Sequence, residues 1–227
     1  MEEQAAEYGI GYRSVPPYEV LYTEWLSYDD VIRLKQVEEM VELFYNSGQF
    51  SYTIRFLELL VGDAFVLYEK LAIFYEEKGY PVAASKRIAH YEHLLEFVSE
   101  IAESGKDEYL TVVEICREYL LFDCYLRENM KTAPSFAKDM SAYKNYLREF
   151  YQKEEEDRKY LPAYEQYDSK QMAKMTHVEF LRYAVWKKDY TDIEEITNSK
   201  MEELQPVLFD YKERSVVRKD CRFVLLV

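Results

Sequence analysis

Between Ser27 and Gly48 the apolar residues Val31, Leu34, Val37, Met40, Val41 and Phe44 recur at steps of three and four. Asp30, Arg33, Lys35, Glu38, Glu39 and Glu42 take the opposite face. That spacing belongs to an amphipathic helix, which must bury its apolar stripe against another element. Ser27 marks the start: its hydroxyl can accept from an unpaired amide, and Asp30, three residues on, approximates a capping box with its charge at the positive helix end. Gly48 marks the end, since glycine tolerates a left-handed backbone. A second helix follows almost at once, and the Trp25–Leu60 hairpin is expected to be well packed.

The same signals repeat along the chain. Phe50–Val61 closes at Gly62-Asp63, and Ala64–Lys78 turns Phe65, Leu67, Tyr68, Leu71, Ala72 and Tyr75 inward before Gly79-Tyr80-Pro81. Residues 83–102 carry the stripe Ala84, Ile88, Tyr91, Leu95, Val98, Ile101 and break at Ser104-Gly105. Glu108–Arg127 carries Val112, Cys116, Leu120 and Cys124. Pro134 is placed in the first turn of a further helix, through Phe136, Met140, Tyr143, Leu147 and Phe150, ending in the charge run Glu154-Glu155-Glu156-Asp157, read as a solvated helix end. Short connections between these helices predict antiparallel packing. With 6 Gly and 6 Pro in 227 residues, a many-stranded sheet is disfavoured.

Beyond Pro162 the pattern changes. Thr176–Trp186, Val207–Tyr211 and Arg222–Val227 are short runs rich in β-branched and aromatic residues. They predict three strands in one small antiparallel sheet at the end of the bundle, with a short helix between the first two capped by Thr191 and Glu194. At the other end, Met1–Tyr8 reads as a piece of helix, and Val15-Pro16-Pro17-Tyr18 as an extended linker from something upstream of Met1. The expected fold is mainly α, an antiparallel helical bundle or array with a small C-terminal antiparallel β element. Its segments are 1–25 as linker, 26–161 as helical domain, and 162–227 as a smaller α+β element.

A formal net charge of −14 repels phosphate backbones, which disfavours nucleic acid and anionic membrane as partners. Met1-Glu2-Glu3 has no signal-peptide character, and no apolar run reaches ~18 residues, so the chain reads as cytoplasmic. Cys116, Cys124 and Cys221 form no disulfide framework; on one helix, Cys116 and Cys124 would sit about 12 Å apart, too far for a bridge. His90 and His93 share a helix face, but no Glu-x-x-His accompanies them, so a di-iron bundle is not indicated. Phosphate-cradling glycine loops, a Gly-x-Ser-x-Gly elbow and His-Glu-x-x-His are absent from the sequence. The residues alone therefore single out no catalytic, cofactor-binding or metal site. The 23 tyrosines read as core and boundary packing.

Trp25-Leu26-Ser27-Tyr28-Asp29-Asp30, Arg33-Leu34-Lys35, Val37–Glu42 and Tyr45-Asn46-Ser47-Gly48-Gln49-Phe50 together resemble the uncharacterised helical domain at the C-terminus of cobalamin-binding radical S-adenosylmethionine enzymes. The similarity continues through Leu67–Leu71, Phe74-Tyr75, Arg87-Ile88-Ala89, Tyr91 and Leu94-Leu95, and more loosely at His177-Val178-Glu179 and Leu208–Tyr211. Ala6–Ile10 and Pro16–Leu21 are similar to the segment that leaves the radical barrel. The tail Lys212–Val217 departs from the pattern, lacking its Asp-Pro and Gly-Asn turns. The resemblance implies an accessory domain without catalysis of its own, partnered by the barrel of the same polypeptide. Iron–sulfur cluster, S-adenosylmethionine and cobalamin are expected in the parent. The cysteines here, 8 and 97 residues apart, do not make the Cys-x-x-x-Cys-x-x-Cys loop of such a cluster. Two readings of other classes stand beside it: an independent helical scaffold that binds a protein partner, and a helical metalloenzyme using His90 and His93.

Overall fold

The structure is a computed structural model that describes residues 5, 7–103, 109–216 and 219–227. It is mainly α, with eight α-helices among the described residues and a small antiparallel sheet near the C-terminus. The chain divides into two compact units, Met1–Ser47 with Asp63–Ala84 and Gly48–Gly62 with Ser85–Val227. This differs from the segments 1–25, 26–161 and 162–227 drawn from the sequence, because packing partners are not sequence neighbours.

In the first unit, strands β1 (Gly11–Tyr12) and β2 (Val20–Tyr22) pair antiparallel, followed by helices α1 (Tyr28–Met40) and, after residues assigned to the other unit, α3 (Ala64–Lys78). The Ser27 cap forms as expected: its hydroxyl accepts from Asp30 N at 3.2 Å, and Asp30 Oδ2 accepts from Ser27 N at 3.0 Å. The Ser27 hydroxyl, 2.7 Å from Asp30 Oδ2, and then the Ser27 amide hold the Asp30 carboxyl below its ordinary range. The last turns of this helix widen into a π-helix over Val41–Asn46, and Gly48 takes φ +62°. Helix α1 packs on α3, burying Val37, Met40 and Phe44 on one side and Leu67, Tyr68, Leu71 and Tyr75 on the other, with Phe44 and Tyr75 edge to face at 5.8 Å. Leu34 and Phe65, expected inside, are exposed.

The expected extended linker folds back on itself. Arg13 N donates to Glu19 O at 3.0 Å and Tyr18 N to Val15 O at 3.1 Å, so the two prolines sit in a hairpin turn instead of a spacer; Pro16–Pro17 is cis. Glu19 takes Lys35 at 3.0 Å and Arg13 at 3.8 Å, tying the hairpin to α1. Of the helical piece expected over Met1–Tyr8, residues 1–4 and 6 lie outside the described residues. The expected break at Ser104-Gly105 and helix start at Glu108 lie outside them too.

The second unit is built on α5 (Tyr109–Arg127). From Ile115 to Leu126 every residue but the partly buried Arg117 is buried, so the single expected stripe is a helix enclosed on all sides. Helix α2 (Ser51–Val61) lies on it through Phe56 stacked on Tyr119 at 5.0 Å and Tyr52 against Phe122 at 4.7 Å. Helix α4 (Arg87–Glu103) packs beside it, starting later than expected, at Arg87. The helix expected from Pro134 starts only at Lys144: α6 spans Lys144–Asp157, because Asp139 accepts from Ser141 N at 2.9 Å and holds the preceding chain in a turn. Helix α7 (Ser169–Met175) runs into β3 (Thr176–Leu181), which pairs with β4 (Gln205–Arg214), which pairs with β5 (Cys221–Leu225). Between β3 and β4, α8 (Ile193–Asn198) is capped by Asp192, not Thr191; Glu195 reaches back to the Thr191 amide.

The sheet is enclosed, not merely laid on a bundle end. On one face Phe122 of α5 meets Phe209 at 5.4 Å and Phe223 at 5.1 Å. On the other, Val178, Phe180, Leu208 and Leu226 join Tyr151, Leu161, Tyr164 and Met172 in a second core. The period of two along β3 explains the division: Val178 and Phe180 point one way, His177 and Glu179 the other. Buried carboxylates close the backbone ends. Glu118 accepts from Arg182 N at 2.8 Å and Tyr183 N at 2.9 Å and is paired with Lys138.

Candidate functional site

His90 is buried, and its ring meets that of His93 edge to face at 5.8 Å. Burial lowers the pKa of both, and among the described residues no three His, Cys, Asp or Glu side chains come together as a metal site. Nor do the thiols fit an iron–sulfur cluster. All three are buried, Cys221 Sγ lies 3.6 Å from the Tyr125 carbonyl oxygen, and burial pushes Cys124 and Cys221 up to about 12, far from the thiolate a cluster takes. The charge run read as solvated is only partly so. Glu154 is buried and accepts from Tyr160 N and Leu161 N, both at 2.9 Å, and Glu155 accepts from Ser169 N at 2.8 Å.

Two other places have the character of binding surfaces. In the second unit a groove of about 440 Å³ runs between α6, α7 and the start of β3. Met140, Leu147, Tyr151, Ala173 and Val178 give it an apolar lining, and Thr176 Oγ1 donates to Met172 O at 2.8 Å and accepts from the Tyr151 hydroxyl at 2.7 Å. Burial pushes the Tyr151 phenol up to about 12, so it stays neutral. Around it stand Arg148, Gln152, Lys170 and His177. Arg148 and Lys170 are exposed and make no ion pair among the described residues, and no carboxylate lines the groove. His177 is held at its edge, stacked on Tyr125 at 3.6 Å with Nε2 3.3 Å from Glu179 Oε2. A second cleft of about 420 Å³ differs in kind, since Glu92 and Glu96 line it together with Arg117.

In the first unit the hairpin and the chain after it leave Tyr8, Val15, Tyr18, Val20, Tyr22, Trp25, Leu26 and Tyr28 exposed, Trp25 at 71%. Local bonds fix this display. Thr23 Oγ1 accepts from Trp25 N at 3.2 Å and Leu26 N at 3.0 Å, and the Tyr8 and Trp25 rings lie 6.2 Å apart. Gly11 has no Cβ because one would fall 2.3 Å from the Tyr22 ring.

A family model described as "Protein of unknown function (DUF4080)" matches residues 6–209. The chain belongs to that family. No curated protein and no solved structure matches it. The DUF4080 span takes in the exposed hairpin, the capped helix α1 and every residue lining the groove, whereas β5 lies beyond it. Among the described residues of this DUF4080 chain no helix is long and apolar enough to cross a membrane.

The sequence reading singled out neither Arg148 nor Lys170. Each reads as an ordinary exposed charge on its own helix, and only the packing of α6 on α7 makes them neighbours of one groove. His177 lies in the run Thr176–Trp186 expected as a strand, and the alternation along β3 is the signal that sets it on the opposite face from Val178.

Proposed function

We propose that this DUF4080 chain is a cytoplasmic accessory domain of a cobalamin-binding radical S-adenosylmethionine enzyme, docked on the barrel of the same polypeptide. The observation that carries the reading is the exposed apolar face of the N-terminal hairpin. Eight large apolar side chains stand out in water between Tyr8 and Tyr28. Exposed apolar side chains gathered in one hairpin and the chain after it, rich in Tyr and Trp, have the composition of an interface. It coincides with the segment whose wording is similar to the exit from the radical barrel, Ala6–Ile10 and Pro16–Leu21.

In this reading the cluster, S-adenosylmethionine and cobalamin belong to the parent, and this chain supplies shape and surface. Radical chemistry requires exclusion of water and stray reductants, and a barrel active site opens at the C-terminal ends of its strands. A domain docked there covers the mouth or contacts the substrate. The test is the intact parent enzyme with Tyr22–Val227 deleted. Cluster assembly, read by visible absorbance and iron content, should be largely retained while turnover falls at least tenfold. Unchanged kinetics in the truncated enzyme would contradict the reading.

A further inference from the structure

The groove between α6, α7 and β3 has a charge character opposite to that of the chain around it. Acidic residues outnumber basic ones 43 to 29 in the sequence, yet the charged side chains lining this groove are Arg148 and Lys170. Elsewhere on this acidic chain some cations have carboxylates within reach, as Lys35 has Glu19 and Arg222 has Glu213. Arg148 and Lys170 have none among the described residues, and both stand over an apolar floor of Leu147, Ala173 and Val178. Convergent polar groups above an apolar concavity of this size are the usual make-up of a small-molecule site.

We propose that this groove binds a small amphiphile with one anionic head, its apolar body on the floor and its head between Arg148 and Lys170. The volume sets the size. About 440 Å³ holds about fifteen non-hydrogen atoms at the ~30 Å³ that a water molecule occupies in the liquid. A medium-chain carboxylate is of that size. The sign of the head follows from the two cations: a cationic head would face like charge, and a neutral one would leave both cations uncompensated. The Tyr151–Thr176 hydroxyl pair beneath is already bonded onward to Met172 O, so the floor keeps its polar atoms satisfied when water is displaced. The inference stands on the groove alone, so its failure and that of the accessory-domain reading are read out separately.

The experiment is calorimetric titration of the chain with dodecanoate below its micelle concentration. One equivalent should bind with a Kd on the order of 0.1–1 mM, the range expected from ~0.3 kcal/mol per non-hydrogen atom. The double substitution R148E/K170E should weaken binding at least about tenfold, while R148K/K170R should stay within about threefold of the parent. Because Ala173 is exposed on α7, Ala173→Phe should block the floor at least about tenfold without touching the charges. Circular dichroism identifies any variant that has unfolded, and the remaining one then decides. Absence of saturable binding, several equivalents bound per chain, or affinity unchanged in folded R148E/K170E or A173F would overturn the proposal.

Discussion

Asp123 lies within α5, 1% exposed, and its carboxylate accepts from Tyr52 N at 3.1 Å and Thr53 N at 2.7 Å. It caps the first turn of α2 from another helix, a role that Ser27 fills for α1 from within its own turn. The difference explains what the sequence made legible. Ser27 and Asp30 are three residues apart and announce their bond, whereas Asp123 and Tyr52 are separated by 71 residues and only tertiary packing joins them. Asp123→Ala should therefore cost about 2–4 kcal/mol in urea denaturation, because two buried amides lose their acceptor. Burial pushes the Asp123 carboxyl up to about 7, against the lowering effect of those amides. Between about pH 4 and 7 the folded chain then holds a proton that the unfolded chain releases. The contribution of Asp123 is full below about pH 4 and declines as pH rises through about 7. The stability difference between the wild type and Asp123→Asn should fall from pH 4.5 to 7.5, and a difference that grew over that window would contradict this.

Helix ends divide into those set by local chemistry and those set at a distance. The ends at Gly62 and Gly79 were legible because glycine at a left-handed position needs no partner elsewhere. The start of α6 was not, since Pro134 offered a plausible first turn and Asp139 and Ser141 made a competing one. The end of α6 at Asp157 was legible, but the reading of its acidic run as solvated was not met, because one member turns inward. Glu154 holds the amides of Tyr160 and Leu161, and its neighbour Glu156 faces water. The four acidic side chains are alike in kind, and only the helical steps Leu147, Phe150, Glu154 set the buried one on the inward stripe. Glu154→Ala should accordingly lower stability by about 1–3 kcal/mol, and Glu156→Ala should change it by less than about 0.5 kcal/mol. Equal midpoints for the two variants would return the run to a uniformly solvated end.

At the scale of the molecule, helical content and the three-stranded sheet were legible, because periodicity and Gly/Pro scarcity decide them. The division into units was not. Helix α2 belongs with α5, far along the chain, through aromatic contacts that no local pattern encodes. The groove was hidden for the same reason: its two cations lie on different helices. The hairpin face was half visible, since its aromatic residues were plain in the sequence but the fold back through Pro16-Pro17 was not. That face is where the accessory-domain reading is most exposed to test. Hydroxyl-radical footprinting with mass spectrometry, comparing this chain with the intact parent enzyme, follows Tyr18, Tyr22, Trp25 and Tyr28 one by one. Docking on the barrel predicts oxidation several-fold slower in the intact enzyme at these positions, with exposed Tyr45 as the internal reference in the same unit. Equal rates in the two proteins at Trp25 and its neighbours would contradict it.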